Sequence, residues 1–242
     1  MEIISSLENK KIKEITKLQQ KKYRDIENKF IVEGKHLVEE AYKAGVLLYV
    51  LQTEDYECDI DAETIYVTYD VIKKIVDTVT PQKVIGVCKK IDEKPVGNKV
   101  LVLDDIQDPG NLGTIIRSSL AFNIDTILLS NNSVDIYNEK VLRATEGMLF
   151  HLNIIRCEIK EKILELKNND YVIYGTKVTN GVDVRSAEKY DKFALVMGNE
   201  GNGVKDEILD LCDVYLYIPM SKTVESLNVG VATSIILYEL NK

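Results

Sequence analysis

The fold is decided by two stretches, Leu195-Val-Met-Gly-Asn-Glu-Gly-Asn-Gly203 and Ile218-Pro-Met-Ser-Lys-Thr-Val-Glu-Ser-Leu-Asn-Val-Gly230. Each begins with apolar, strand-like residues and then changes to glycine or proline and small polar residues, whose backbone amides are free to meet a ligand. Loops that follow strands of a parallel sheet form a crevice where the strands end. The two stretches therefore predict an α/β fold with a binding crevice at the end of its sheet.

The rest of the chain alternates short helices and strands on either side of a charged stretch with a proline and a glycine, residues 92–99. Upstream, this alternation predicts a small α/β/α domain over residues 1–91. Downstream, near-continuous apolar strands separated by helices predict a parallel sheet covered on both faces, over residues 98–242. The last helix is predicted from Val224 to Leu240, and it is too apolar for a face exposed to water.

Composition sets limits on the class of protein. Four cysteines without a Cys-x-x-Cys pair argue against a disulfide framework and against a zinc site, and no cluster of carboxylates or histidines suggests another metal. The chain shows neither a signal peptide nor an apolar run as long as a membrane span. We therefore expect a cytoplasmic protein without a metal.

Positive charge is concentrated near the N-terminus, although the net charge is -8. The acidic total argues against a protein that binds nucleic acid with its whole surface. The local cluster has two interpretations, a solvated helix face or a patch that contacts phosphates. Its candidate residues for RNA contact are Lys10, Lys17, Lys21, Lys22 and Arg24.

Three stretches could carry chemistry. The first runs from Leu103 through Asp-Pro-Gly-Asn111 to Arg117, where a strand is followed by a turn and a helix with Asn111 at or near its N-cap. Arg117 either lies along the surface or is placed to bind an anion. The second, Gly198 to Gly203, is neither a dinucleotide-binding fingerprint nor a P-loop. The third brings Ser226 and Asn228 to the start of an apolar helix. Neither of the two histidines, His36 and His151, lies beside a serine in a way that suggests a Ser-His-Asp triad.

These three stretches, in this order and spacing, resemble the motifs of the SpoU (TrmH-type) RNA ribose 2′-O-methyltransferases of the SPOUT superfamily. Upstream, Lys17-Leu-Gln-Gln-Lys-Lys-Tyr-Arg24 and Phe30-Ile-Val-Glu-Gly34 are similar to the L30e-like substrate-binding domain of that family. The resemblance covers almost the whole chain. One departure is Thr145-Glu-Gly147, where family members often carry Ser-x-Gly.

The resemblance implies an L30e-like domain followed by a SPOUT domain with a deep trefoil knot, a homodimer, and S-adenosylmethionine as cofactor. It assigns catalytic or orienting roles to Arg117, Asn111, Glu200, Ser226 and Asn228. In the family the arginine of the first motif acts on the 2′-hydroxyl. The cofactor-binding residues it implies are Met197, Gly198, Glu200, Gly201, Gly203, Ile218, Met220, Ser226 and Leu227.

The function that follows from this resemblance is methylation of a ribose 2′-hydroxyl in RNA. Members with this N-terminal domain most resemble rRNA enzymes, and a guanosine of 23S rRNA is the target suggested by analogy. The alternatives are a tRNA methyltransferase and a catalytically silent RNA-binding or assembly protein on the same scaffold. A third, a nucleotide-binding enzyme acting on a small molecule, agrees less well with the basic N-terminal stretch.

Overall fold

The computed structural model of the chain describes residues 3–178, 180–221 and 223–241. In chain order its strands are β1 Ile3–Ile4, β2 Lys29–Glu33, β3 Leu47–Gln52, β4 Thr64–Val67, β5 Val84–Lys89, β6 Lys99–Leu103, β7 Thr126–Ser130, β8 Asn153–Cys157, β9 Val172–Thr176, β10 Val182–Asp183, β11 Phe193–Met197 and β12 Val214–Tyr217. The helices are α1 Lys10–Lys17, α2 Lys21–Glu27, α3 Lys35–Lys43, α4 Tyr69–Ile75, α5 Pro109–Ala121, α6 Glu139–Thr145, α7 Ile159–Asn168, α8 Asp206–Leu209 and α9 Val229–Asn241, with 3₁₀ turns at Met148–His151 and Val184–Ser186.

These elements pack as two compact units. The first contains the residues up to Asp92 together with Asp135–His151, and the second contains Glu93–Val134 and the chain from Leu152 onward. A division along the sequence near residue 92 assigns the segment 135–151 to the C-terminal domain, whereas its contacts lie within the first unit. Aromatic packing holds the segment in the first unit. The ring centroid of Phe30 in β2 lies 4.5 Å from that of Tyr137 and 6.3 Å from that of Phe150, and both of these residues belong to the segment.

The first unit is built on a mixed sheet with the strand order β1-β4-β3-β5-β2. Strand β3 runs parallel to β4 and antiparallel to β5. Ile12 and Ile15 of α1 pack against Val71, Ile72 and Ile75 of α4 in one buried cluster. Their spacing of three or four residues puts the apolar side chains of each helix on one face, which is why both helices form against this sheet.

The second unit is built on a seven-stranded sheet in the order β10-β12-β9-β11-β6-β7-β8, in which every pairing is parallel. Strands β7 and β11 are buried along their whole length. Burial on both faces is what near-continuous apolar strands predict. The predicted α/β fold with a parallel sheet is therefore confirmed.

Four strands of the second sheet lie side by side in an order that differs from their order along the chain. Strand β11 lies between β9 and β6, and β9 lies between β11 and β12. The carboxyl ends of these four parallel strands therefore meet at one edge, and the loops that follow them converge there. Within the described residues, no helix has the length and apolar character to cross a membrane.

Candidate active site

A cavity of about 600 Å³ lies at this edge of the second sheet. The loops after β9, β11 and β12 and the first turns of α9 form its walls. All the residues that the sequence suggested for cofactor binding line it: Met197, Gly198, Glu200, Gly201, Gly203, Ile218, Met220, Ser226 and Leu227. Its volume falls within the range of about 300–1,000 Å³ that is usual for cofactor sites.

The glycine-rich loop after β11 closes on itself as a tight hairpin. The backbone N–H of Asn199 donates to the carbonyl of Gly203 at 3.0 Å, and the N–H of Gly203 donates back at 2.9 Å. A Cβ on Gly198 would lie 2.1 Å from the carbonyl carbon of Gly203, so no larger residue fits there. Gly203 itself has φ of +70°, which glycine adopts without strain. These glycines bring bare backbone to the cavity wall.

The N-terminus of helix α5 is capped by Asp108, so the side chain of Asn111 is not needed as the cap. The N-cap is Asp108, whose side chain accepts from the backbone N–H of Asn111 at 2.8 Å, and Pro109 follows in the first turn. Asn111 was expected at or near the N-cap; it lies three residues later. Because Asp108 does the capping, the carboxamide of Asn111 is available for other partners.

Three of the predicted residues form one hydrogen-bonded chain. The Nδ2 of Asn228 donates to the Oδ1 of Asn111 at 2.8 Å, and the Nδ2 of Asn111 donates to Glu200 at 3.1 Å. They come from α5, the glycine loop and the residue before α9. The structure thus joins one residue from each of the three stretches.

Glu200 holds the start of α5. Its carboxylate accepts from the backbone N–H groups of Asp108 at 3.1 Å and of Gln107 at 3.3 Å, besides the bond from Asn111. Burial alone would raise the pKa of Glu200, but these hydrogen bonds outweigh it and the pKa is lowered. A carboxylate at a helix N-terminus is favoured by the helix dipole as well. Glu200 is therefore an ionised orienting group, and a poor proton acceptor.

Asn228 fixes where the last helix begins. Its Oδ1 accepts from the backbone N–H groups of Gly230 at 3.0 Å and Val231 at 3.2 Å, so it caps α9. The helix starts at Val229, and the prediction that it starts at Val224 was wrong. With its oxygen used in the cap, the amide nitrogen of Asn228 is turned toward Asn111.

The structure does not bring Arg117 into this network. Its side chain is exposed on α5 and makes no hydrogen bond or ion pair with the residues that the structure describes. Six residues along a helix place it about 9 Å from Asn111 along the axis and about 120° around it. Ser226 is exposed and lines the cavity, apart from the Asn228–Asn111–Glu200 chain.

The suggested RNA-contacting residues divide into two groups. Lys10, Lys17, Lys21 and Lys22 are exposed on α1 and α2. The side chain of Arg24 is only 6% exposed and donates to Asp135 at 2.6 and 3.1 Å and to the carbonyls of Leu18 and Gln19. The suggestion that Arg24 contacts RNA is therefore corrected: its guanidinium is used inside the first unit.

Sequence reasoning also missed part of the cavity wall. Thr176 at the end of β9 lines the cavity, as do Lys177 and Asn180 after it and Asp206 at the start of α8. Nothing along the chain signals this, because β9 precedes β11 by about twenty residues and only the strand order brings it beside the other loops. Among the residues described, no group of three or more His, Cys, Asp or Glu is arranged to hold a metal ion.

Comparisons with known proteins show the family of the chain. The family model described as SpoU rRNA Methylase family matches residues 98–238, and one described as MRM3-like substrate binding domain matches residues 9–86. The 23S rRNA (guanosine(2553)-2′-O)-methyltransferase RlmP of Bacillus subtilis is 39% identical, with 99% of each chain covered.

Solved structures give the same result. The AdoMet-bound rRNA methyltransferase of Sinorhizobium meliloti is 29% identical, covers 99% of this chain and 97% of its own, and superposes with a TM-score of 0.87. A structure described as an RNA 2′-O ribose methyltransferase is 26% identical, covers 99% of this chain and 98% of its own, and has a TM-score of 0.84. The resemblance noted in the sequence is confirmed, and the chain belongs to the SpoU rRNA methylase family.

Proposed function

We propose that this chain transfers a methyl group from S-adenosylmethionine to a ribose 2′-hydroxyl of ribosomal RNA. The observation that carries the proposal is the chain of hydrogen bonds from Asn228 through Asn111 to Glu200 at the edge of the cavity. That Asn111, Glu200 and Asn228 are all present and joined argues against a catalytically silent scaffold. The Bacillus subtilis relative, whose name specifies guanosine 2553 of 23S rRNA, supports a guanosine of 23S rRNA as the target.

The cavity has walls suited to this cofactor. Ile218, Leu227 and Ile236 offer an apolar surface for the adenine ring, and the bare backbone around Gly198 offers hydrogen-bonding groups for the ribose. The carboxylate of Glu200 borders the cavity and favours a cationic ligand. When bound, the cofactor supplies a methyl group activated by a positively charged sulfur.

The residues of the chain then have separate tasks. Asn111 and Asn228 hold the first turns of α5 and α9 in register, and Glu200 ties the glycine loop to α5. We assign to Arg117 the binding of the phosphate beside the reacting ribose and the stabilisation of negative charge on the 2′-oxygen. A guanidinium keeps its proton in water, so it does this more readily than it accepts a proton. The 2′-hydroxyl also distinguishes RNA from DNA.

A homodimer is part of the proposal, because Arg117 lies apart from the network of its own copy. Helix α9 exposes Val231 and Tyr238, which are 46% and 51% accessible, beside the face of α5 that it packs against. A second copy covering these side chains would bring an Arg117 to each cavity. Sedimentation should then show a dimer, and mixing Arg117→Ala with Gly198→Val subunits should restore methylation; a monomer, or no restored activity, would refute this arrangement.

The first unit is assigned to the RNA, in agreement with the substrate-binding model that matches it. Exposed Lys10, Lys17, Lys21 and Lys22 would contact phosphates through α1 and α2. The proposal also includes the deep trefoil knot that the family resemblance implies for the C-terminal part of the chain.

The experiment uses tritiated S-adenosylmethionine with unmodified 23S rRNA and, separately, with unmodified tRNA. Methylation of a ribose 2′-oxygen blocks alkaline cleavage at that linkage, so label should appear in an alkali-resistant dinucleotide from 23S rRNA that contains a guanosine. Label in tRNA alone would establish the tRNA alternative. Cofactor binding without label in either RNA would establish the silent scaffold.

A further inference from the structure

We propose that Lys177 is the anion-binding position of the cofactor cavity and receives the carboxylate of the methionine chain of S-adenosylmethionine. This rests on the proposed function, since it takes the cavity at the sheet edge as the cofactor site. Lys177 belongs to none of the three sequence motifs. It follows β9 and lines the cavity together with Thr176 and Asn180.

The backbone holds Lys177 firmly at the cavity. Its N–H donates to the carbonyl of Leu216 in β12 at 3.0 Å, which extends the pairing of β9 with β12 by one residue. Its side chain is half-buried, so its ammonium does not range freely through solvent. The position is therefore set by the sheet more than by the loop that follows.

The ammonium of Lys177 is held without being neutralised. It lies 3.6 Å from the centroid of the Tyr215 ring, within cation–π distance. Among the described residues it makes no ion pair, unlike Lys167, which pairs with Asp213, and Lys205, which pairs with Asp104. An aromatic ring fixes a cation but supplies no counter-charge, so the N–H donors and the charge remain available to an anion.

Several other donors beside the cavity are already engaged. The first amides of α9, at Gly230 and Val231, donate to Asn228. The side-chain amide of Asn199 donates to the carbonyl of Asp105 at 2.9 Å. Of the described residues that line the cavity, Lys177 alone carries a positive charge.

The remaining charges of the wall match the rest of the ligand. Glu200 and Asp206 are the carboxylates among the described lining residues. S-adenosylmethionine carries one carboxylate and two cationic groups, its sulfonium and its ammonium. One cation and two carboxylates on the wall complement that pattern, and opposite charges brought together in a partly enclosed site attract more strongly than in water.

The test compares S-adenosylmethionine with decarboxylated S-adenosylmethionine, which lacks the carboxylate and keeps both cationic groups. Calorimetry measures the dissociation constant of each for the wild type and for Lys177→Met, Lys177→Arg and Lys192→Met. Lys192 is the matched control: it is half-buried, its ammonium lies 4.6 Å from the centroid of Tyr171, and it lines a different cavity.

We expect the wild type to bind the complete cofactor about 10- to 100-fold more tightly than the decarboxylated one, the range of one charged hydrogen bond. Lys177→Met should lose this preference through weaker binding of the complete cofactor alone; Lys177→Arg should keep most of it and Lys192→Met all of it. An equal loss for both ligands, or no loss, would overturn the role of Lys177. If the wild type binds neither ligand, the cofactor assignment of the cavity fails as well.

Discussion

Asn111 shows what a motif can and cannot predict at the level of single residues. The sequence identified Asn111, Glu200 and Asn228 as candidates, and the structure joins them by hydrogen bonds of 2.8 and 3.1 Å. It did not predict that Asp108 would cap α5 and leave the Asn111 amide free. Several polar residues near a helix start can cap it, and only the local geometry decides between them.

Arg24 illustrates the opposite case. A run of basic residues on two short helices predicts a single exposed surface. Arg24 is nevertheless buried, because it pairs with Asp135, which is more than a hundred residues away in the sequence. No periodicity within α2 could have signalled an ion pair with the segment 135–151. Lys10, Lys17, Lys21 and Lys22 of the same run stay exposed, and Lys21 pairs with Asp25 of its own helix.

We predict that Arg24→Ala destabilises the protein. Removing one partner of a buried ion pair leaves the charge of Asp135 uncompensated and two carbonyl groups unpaired, so the free energy of unfolding should fall by about 3 kcal/mol. Urea denaturation measures this, with Lys21→Ala as control, since its pair with Asp25 is exposed and should contribute less than about 1 kcal/mol. If Arg24→Ala keeps wild-type stability yet binds RNA weakly, Arg24 is an RNA contact and not a structural residue.

At the level of elements, the loop between β6 and α5 is hydrogen-bonded to the loop between β11 and α8 at three points. Asn199 donates to the carbonyl of Asp105, Glu200 accepts from the start of α5, and the Nζ of Lys205 donates to Asp104 at 3.0 Å. Asp104 is buried, and its second carboxylate oxygen has no hydrogen-bond partner among the described residues. The Lys205 pair therefore anchors the residues that follow the glycine loop to the end of β6.

We predict that breaking this pair loosens the glycine loop. Lys205→Met should weaken cofactor binding and stability, because the charge on Asp104 is left buried and unpaired. Asp104→Asn combined with Lys205→Met should recover part of both, with a coupling free energy of about 1 kcal/mol. Calorimetry and urea denaturation of the four proteins give the cycle; strictly additive losses would show that the pair does not act as a unit.

The elements themselves were largely predictable, and their order in space was not. Apolar runs identified the strands of the second sheet, since buried strands are continuously apolar. The placement of β9 between β11 and β12, which brings Lys177 to the cavity, depends on tertiary packing that leaves no local signal. The start of α9 was placed five residues early because Val224 to Asn228 fits a helical pattern, whereas Asn228 caps the helix.

For the molecule as a whole, the exposed positive charge near the N-terminus is the feature that we connect with RNA binding. The chain carries a net charge of -8, yet exposed lysines gather on α1 and α2 of the first unit. Lys17 and Lys22 flank Tyr23, with their ammonium groups 5.5 and 5.8 Å from its ring centroid. We expect an acidic protein with this basic face to bind RNA through it, and that binding should depend on salt.

We predict that Lys17→Ala with Lys22→Ala weakens RNA binding and leaves cofactor binding unchanged. Each lost phosphate contact should reduce the slope of log affinity against log salt by about 0.7 to 0.9. Filter binding at several salt concentrations measures the slope. Lys73→Ala is the control, because Lys73 also lies over a tyrosine of the first unit, Tyr69, but belongs to α4 and not to α1 or α2. An unchanged slope in the double variant would refute this RNA surface.

In the proposed function, Arg117 acts on the ribose while the glycine loop and α9 hold the cofactor. The most direct test measures methyl transfer to 23S rRNA and S-adenosylmethionine binding for the same Arg117→Ala protein, with the exposed helix residue Arg143→Ala as control. We predict a fall in methyl transfer of about 100-fold or more with wild-type cofactor affinity, and no change for Arg143→Ala. Methyl transfer by Arg117→Ala within a few-fold of the wild type would show that Arg117 does not act on the ribose.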